Sequence, residues 1–127
     1  MTADKRIASY AIADAVEVIL TECTRHYFGG YYHVRIVVHA DVPLSSRNFE
    51  SVPEYEDAVR RLGASAQFSR TLEKMAVPEN MIEFERMALV ASFDSNVLPY
   101  LLRKDFIGSF VRSEYRKSLN SVAPKSR

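Results

Sequence analysis

Tyr31–Leu44, which reads YYHVRIVVHADVPL, is the stretch that decides the fold, because apolar and polar residues alternate along it. Successive side chains on a β-strand point to opposite faces of the sheet. One face of this stretch therefore carries only apolar residues: Val34, Ile36, Val38, Ala40 and Val42. The alternation predicts a half-buried strand at the centre of a sheet.

The opposite face of this strand carries the candidate site, formed by His33, Arg35, His39 and Asp41. Same-face residues two positions apart lie roughly 6.5–7 Å apart, so His39 and Asp41 are placed to offer a nitrogen and a carboxylate ligand to a divalent metal. His33 is six positions from His39, about 20 Å along a strand, and is assigned with Arg35 to binding an anionic ligand. A third metal ligand would come from the carboxylates farther along the chain, Glu83, Glu85 and Asp94. The structural alternative is a solvated strand face on which His39 and Asp41 form hydrogen bonds with each other or with the backbone.

Composition indicates one ordinary globular domain spanning residues 1–127. Apolar residues make up 47% of the chain and charged residues 26%, fractions typical of a folded soluble protein. No apolar run reaches the roughly 20 residues of a membrane-spanning helix. The first residues lack the pattern of a signal peptide. Cys23 is the only cysteine, and the expected compartment is the reducing cytoplasm.

Positive charge is concentrated near the C-terminus. Residues 103–127 contain seven basic and two acidic residues, although the whole chain has a net charge of only +1. This asymmetry favours either an anionic partner such as nucleic acid or a helix C-terminus followed by a solvated, frayed tail at residues 120–127.

The remaining chain is interpreted as helices and one further strand. Apolar residues at three- and four-residue intervals predict a helix from Asp4 to Tyr27, ended by Gly29-Gly30 as a C-cap; a hairpin turn at the two glycines is the alternative. A capping box at Ser51 predicts a helix that begins near Val52 and is kinked or ended by Gly63. The further segments are a helical piece containing Phe68 to Ala76, a bulged strand near 81–93 with a helix as its alternative, a turn at 94–96 and a final helix over 97–119.

The predicted fold is α+β, a small antiparallel or mixed sheet with strands near 31–42 and 81–93 packed against three to four helices. Two strands make a poor sheet, so either a strand is missing from this interpretation or a homodimer completes the sheet by pairing edge strands.

Three functions follow from these observations. The first is a cytoplasmic, non-catalytic binding, regulatory or adaptor protein that acts as a homodimer and has a protein partner. The second is a small metal-dependent or acid–base enzyme that uses His39 and Asp41. The third is nucleic-acid binding through the basic C-terminal helix. The loop Ser45–Arg47, after the strand, is a further location for a ligand.

Overall fold

The structure, a computed structural model, describes residues 4–13 and 15–125, with side chains to residue 120. Five strands form one antiparallel sheet: β1 (Lys5–Ala13), β2 (Val16–Glu22), β3 (Arg25–Phe28), β4 (Tyr31–Pro43) and β5 (Ser65–Pro78). The helices are α1 (Val52–Leu62), α2 (Ile82–Ser92), α3 (Leu98–Leu101) and α4 (Phe106–Lys125), with a π-helical turn at Phe93–Val97. The α+β class, the central strand and the number of helices are confirmed.

The strand β4 is the centre of the sheet. The strands β2 and β3 pair with successive parts of one side of β4, β5 pairs along nearly its whole other side, and β1 lies outside β2. The predicted alternation along β4 is confirmed, since its apolar row is buried and the opposite row is more exposed. Buried residues of α4 and of the π-helical turn pack against the apolar face. Within the described residues, the opposite face of the sheet is the more exposed of the two.

The predicted helix from Asp4 to Tyr27 is wrong, because this segment forms β1, β2 and β3. Along β2, Val16, Val18 and Leu20 are buried and alternate with more exposed residues. The same apolar positions also fit the spacing of a helix, and pairing of β2 with β4 decides in favour of the strand. Ala15 has a positive φ of 64° in the turn that joins β1 to β2, while the neighbouring Asp14 lies outside the described residues.

Gly29 and Gly30 form a two-residue turn between β3 and β4, which is the alternative that the sequence left open. Gly29 has a φ of 56°, in the left-handed region that this kind of turn requires and that glycine adopts at low cost.

Two further segments have the opposite type of secondary structure from the one predicted. The segment 65–78, predicted as helical, is the long strand β5, and the segment 81–93, predicted as a strand, is α2 followed by the π-helical turn. Pairing with β4 overrides the helical spacing in β5, whereas Met, Ala, Leu and Glu in α2 follow their intrinsic helix preference. The predicted turn at 94–96 lies within the π-helical turn.

Both ends of α1 follow from the sequence as predicted. The Ser51 hydroxyl accepts a hydrogen bond from the Glu54 backbone N–H at 3.2 Å, and Gly63, with a φ of 88°, ends the helix. The predicted final helix is interrupted, since α3 ends at Leu101 and α4 begins at Phe106. The α4 backbone continues to Lys125, while most of the predicted frayed segment 120–127 lies beyond the described side chains. Within the described residues, none of the helices is long and apolar enough to span a membrane.

Asp57 connects α1 to α4 and predicts a pH dependence of stability. Its carboxylate accepts hydrogen bonds from the Tyr115 hydroxyl at 2.7 Å and from Arg61 Nε at 2.9 Å, which hold the Asp57 pKa below its ordinary value of 3.8. The unfolded chain therefore binds this proton more readily than the folded chain, so the stabilisation is present above pH 3.8 and is lost as pH falls through the folded pKa. We expect Asp57→Asn to lower stability at pH 7 and to flatten its loss between pH 5 and 2, as measured by urea unfolding. Equal acid sensitivity in the two proteins would contradict this role.

Candidate functional site

The predicted site residues lie on the open face of the sheet, but they form two separate clusters. In the first, His33 donates from Nε2 to the Glu73 carboxylate at 2.6 Å, and Arg35 Nε lies 3.8 Å from the same carboxylate. Glu73 belongs to β5, opposite Arg35. Glu73 is absent from the predicted site, because the helix predicted for its segment does not place it beside β4. The alternation of Gln67, Ser69, Thr71 and Glu73 with Ala66, Phe68 and Leu72 was the available signal.

The second cluster contains His39 and Asp41. His39 Nε2 lies 3.5 Å from the Thr21 hydroxyl, the outer limit of a hydrogen bond, and Asp41 accepts from the Gln67 side-chain amide. Both residues line a shallow cleft of about 230 Å³ with Glu17 of β2. His33, His39 and Asp41 each have a hydrogen-bonding neighbour on this face, whereas the buried Nε atom of Arg35 has no hydrogen-bond partner among the described residues. The four residues do not converge on one point.

The proposed metal pair lacks a third ligand among the described residues. No group of three or more histidine, cysteine, aspartate or glutamate side chains is arranged there to hold a metal ion. Of the carboxylates considered from the sequence, Glu83 lies 3.9 Å from Arg86 in α2, and Asp94 accepts a hydrogen bond from the Tyr10 hydroxyl at 2.8 Å. Glu85 is a half-buried residue of α2. All three belong to the helical segment 82–97 that the sequence analysis treated as a strand and a turn.

Cys23 lies at the junction between β2 and β3. Its sulfur is 3.8 Å from the Thr21 carbonyl oxygen, and burial, with a further contribution from Asp4, raises the pKa of the thiol. A raised pKa keeps the thiol protonated and unreactive at neutral pH.

A buried ion pair joins the sheet to α2. Glu22 is only 7% exposed, and its carboxylate accepts from the Thr24 hydroxyl at 2.8 Å and from Arg86 Nη1 at 3.2 Å. The sequence showed no signal for this contact because the two partners are 64 positions apart and both lie in segments assigned to the wrong type of element.

The outward face of α2 is apolar, and none of the described residues covers it. Phe84 is 62% exposed and Met87 is 63% exposed, and Ala88 and Ala91 are also exposed. Their spacing of three, four and seven residues places all four on one face of the helix. The inward residues Leu89 and Val90 pack on the core, so α2 is apolar on both sides. We call the four outward residues the α2 stripe.

Two larger clefts lie away from the predicted site. One, of about 490 Å³, is lined by Ser45 and Arg47 of the loop considered from the sequence and by Asn48, whose carbonyl accepts from Arg112. The other, of about 550 Å³, lies between the edge strand β5 and α4.

The chain matches no protein-family model, no curated protein and no solved structure.

Proposed function

We propose that this protein is a small homodimer that acts by binding a partner rather than by catalysis, as a regulatory or adaptor protein. The α2 stripe is the observation that carries the proposal. Monomeric soluble proteins seldom leave large apolar side chains in a row, and such rows are typical of protein–protein contacts. A helix that is apolar on both sides is normally covered on both sides.

A second copy of the chain is the partner that fits the α2 stripe best. Two α2 helices packed antiparallel about a two-fold axis between Met87 and Ala88 would place Phe84 against Ala91 and Met87 against Ala88. Each large side chain then faces a small one, an arrangement that fills space and lets two helices approach closely. The interface is self-complementary, as a two-fold dimer requires.

A groove beside the α2 stripe supports this arrangement. It has a volume of about 380 Å³ and is lined by the apolar residues Ile7 of β1 and Met87, Val90 and Ala91 of α2, together with the charged residues Arg86 and Asp94. Because Ala91 would face Phe84 of the second copy, that phenyl ring would lie at a groove whose lining is mostly apolar. The four strands that the sequence did not predict, β1, β2, β3 and β5, remove the shortage that called for sheet completion, so the α2 stripe replaces the edge strands as the proposed dimer contact.

The expected dimer is concentration-dependent. One helix from each copy buries much less than the roughly 800 Å² per partner of a standard interface, so we expect a dissociation constant in the micromolar range. Sedimentation equilibrium over a wide concentration range measures this value for the natural sequence.

Met87→Glu is expected to make the protein monomeric at every concentration, because two carboxylates would be desolvated beside the two-fold axis. Met75→Glu is the matched control, since Met75 is also exposed, at 47%, but lies on β5. A natural chain that remains monomeric at high concentration contradicts the homodimer. A dimer that persists in Met87→Glu moves the interface elsewhere, first to the edge strands considered from the sequence.

A cross-linking experiment locates the interface independently. In a Cys23→Ser background, Ala88→Cys is expected to form a disulfide-linked dimer under mild oxidation, because residue 88 would lie next to the two-fold axis. Ser113→Cys on α4 is the control and is expected to remain uncross-linked. Because Cys23 is the only natural cysteine, any disulfide in this variant joins the two introduced cysteines.

The single natural cysteine also supports the cytoplasm as the compartment of the protein.

A further inference from the structure

The cleft between β5 and α4 has the features of a peptide-binding groove. Gln67, Phe68 and Ser69 of β5 form one side. The other side is formed by residues on successive turns of α4, from Ser109 to Lys117. These turns extend about 12 Å, because an α-helix rises 1.5 Å per residue, and about four residues of extended chain cover the same length.

The β5 side of this groove is an unprotected sheet edge. Within the described residues, β5 pairs with β4 alone, so its other side presents free backbone N–H and C=O groups. Natural edge strands are usually protected by charged residues, and here the first charge is Arg70. The segment 65–69, which borders the groove, carries no charge and contains no proline. This part of the edge is therefore free to accept a further strand.

The groove has an aromatic floor. The rings of Phe68 and Phe110 lie 5.6 Å apart and nearly perpendicular, and Phe106 stacks on Phe110. Phe68 is buried and Phe110 is half-buried, so part of the aromatic surface is accessible from the groove. An extended segment beside β5 would place alternate side chains over this floor.

The rim of the groove is positively charged. Arg116 and Lys117 are exposed, and among the described residues Glu114 is the only acidic one that lines the groove. Lys117 pairs with Glu114 at 3.1 Å, whereas no ion pair to Arg116 is found among the described residues. Charge complementarity therefore selects an acidic ligand.

We propose that this groove binds an acidic protein segment in extended conformation, which adds to β5 as a sixth strand. This inference rests on the binding function proposed above and gives the chemistry of the partner. Main-chain hydrogen bonds to residues 65–69 supply affinity, apolar side chains contact Phe68 and Phe110, and a carboxylate reaches Arg116. A second copy of the chain suits the groove less well, because its β5 edge brings the same positive rim rather than an acidic one.

The test uses the full chain carrying Met87→Glu, so that binding is measured without dimer formation. The probe is a short fluorescein-labelled peptide that alternates valine and glutamate, and binding is followed by fluorescence polarisation. Two control peptides separate the sources of affinity. One replaces each glutamate with lysine, and the other carries N-methyl groups on alternate amides, which removes main-chain donors from one edge.

Arg116→Glu is expected to weaken binding of the acidic peptide about tenfold or more, because an attractive charge becomes a repulsive one. Arg6→Glu is the matched control, since it makes the same charge change at an exposed position on β1, at the opposite edge of the sheet. Neither exposed substitution is expected to change the unfolding midpoint. Binding by the control is expected to equal that of the parent chain.

The outcomes are distinct. Loss of binding with Arg116→Glu and with the N-methylated peptide supports strand addition at β5. Strand addition is overturned if the lysine peptide binds equally well or if N-methylation has no effect on binding. It is also overturned if a fluorescein-labelled single-stranded oligonucleotide binds and the acidic peptide does not. A monomeric natural chain that still binds the peptide would remove the homodimer and leave the groove intact, so failure of the two proposals can be told apart.

Discussion

Replacing Phe93 with alanine is expected to lower the free energy of unfolding by about 3–5 kcal/mol, the usual cost of removing a fully buried phenyl ring. Phe93 has no exposed surface, and its ring lies 5.2 Å from the Tyr10 ring of β1. It occupies the π-helical turn that connects α2 to α3. The substitution leaves a cavity between the π-helical turn and the sheet, because neither element can move enough to fill it. A loss of this size is a large part of the stability of a small domain.

Phe84→Ala is the control for this experiment, because the same side chain is removed from an exposed position nine residues earlier. Urea unfolding at low concentration, where the proposed dimer dissociates, is expected to show a change of at most about 0.5 kcal/mol for Phe84→Ala. Phe93→Leu is expected to lie between the two, because leucine refills part of the cavity. Equal destabilisation of both alanine variants would show that Phe93 is not the core residue described here.

Replacing Arg86 with alanine is expected to cost about 3 kcal/mol, because Glu22 would keep its buried carboxylate and lose its cationic partner. The hydroxyl of Thr24 would be the only side-chain hydrogen bond left to that carboxylate among the described contacts. This expected loss of stability is at the low end of the range for a buried ion pair, since the Arg86 side chain is itself 30% exposed and water can reach part of the site.

Two further variants isolate the contribution of the charge. Arg103→Ala removes an arginine whose side chain is 63% exposed and whose Nε lies 3.6 Å from Asp105, and we expect almost no change in stability. Glu22→Met combined with Arg86→Met is expected to recover most of the loss, because an apolar pair of similar size avoids burying a charge. If the double variant is less stable than Arg86→Ala, the ion pair itself stabilises the fold and the cost does not come from the unpaired carboxylate.

The sequence predicts correctly those segments where a local rule is decisive. The strict alternation of β4 predicts both the strand and the face that is buried, because any shift by one residue would expose its whole apolar row. The same holds for α1, where a serine cap and Gly63 set the two ends. The position of His33, Arg35, His39 and Asp41 on the uncovered sheet face also followed from the alternation.

Long-range pairing decides the other segments. Residues 4–28 and 65–78 have apolar spacings that fit both a helix and a strand, and only hydrogen bonding within the sheet selects the strand. The strands β2, β3 and β5 pair with β4, and β1 pairs with β2. The prediction of a helix in both segments therefore led to too few strands. Glu73, the partner of His33, could not be identified for the same reason.

The sequence by itself determined the α+β class, the central strand, the first helix and the polar face of the sheet, because each depends on residues that are neighbours along the chain. Tertiary structure alone decided the number of strands, the Glu22–Arg86 pair, the α2 stripe and the groove beside β5. The number of strands, the ion pair and the groove each join residues tens of positions apart. Whether an apolar residue, such as those of the α2 stripe, is buried or left at the surface depends on what packs against it. Phe84 and Phe93 illustrate this physical limit, since one sequence segment places one ring in solvent and the other in the core.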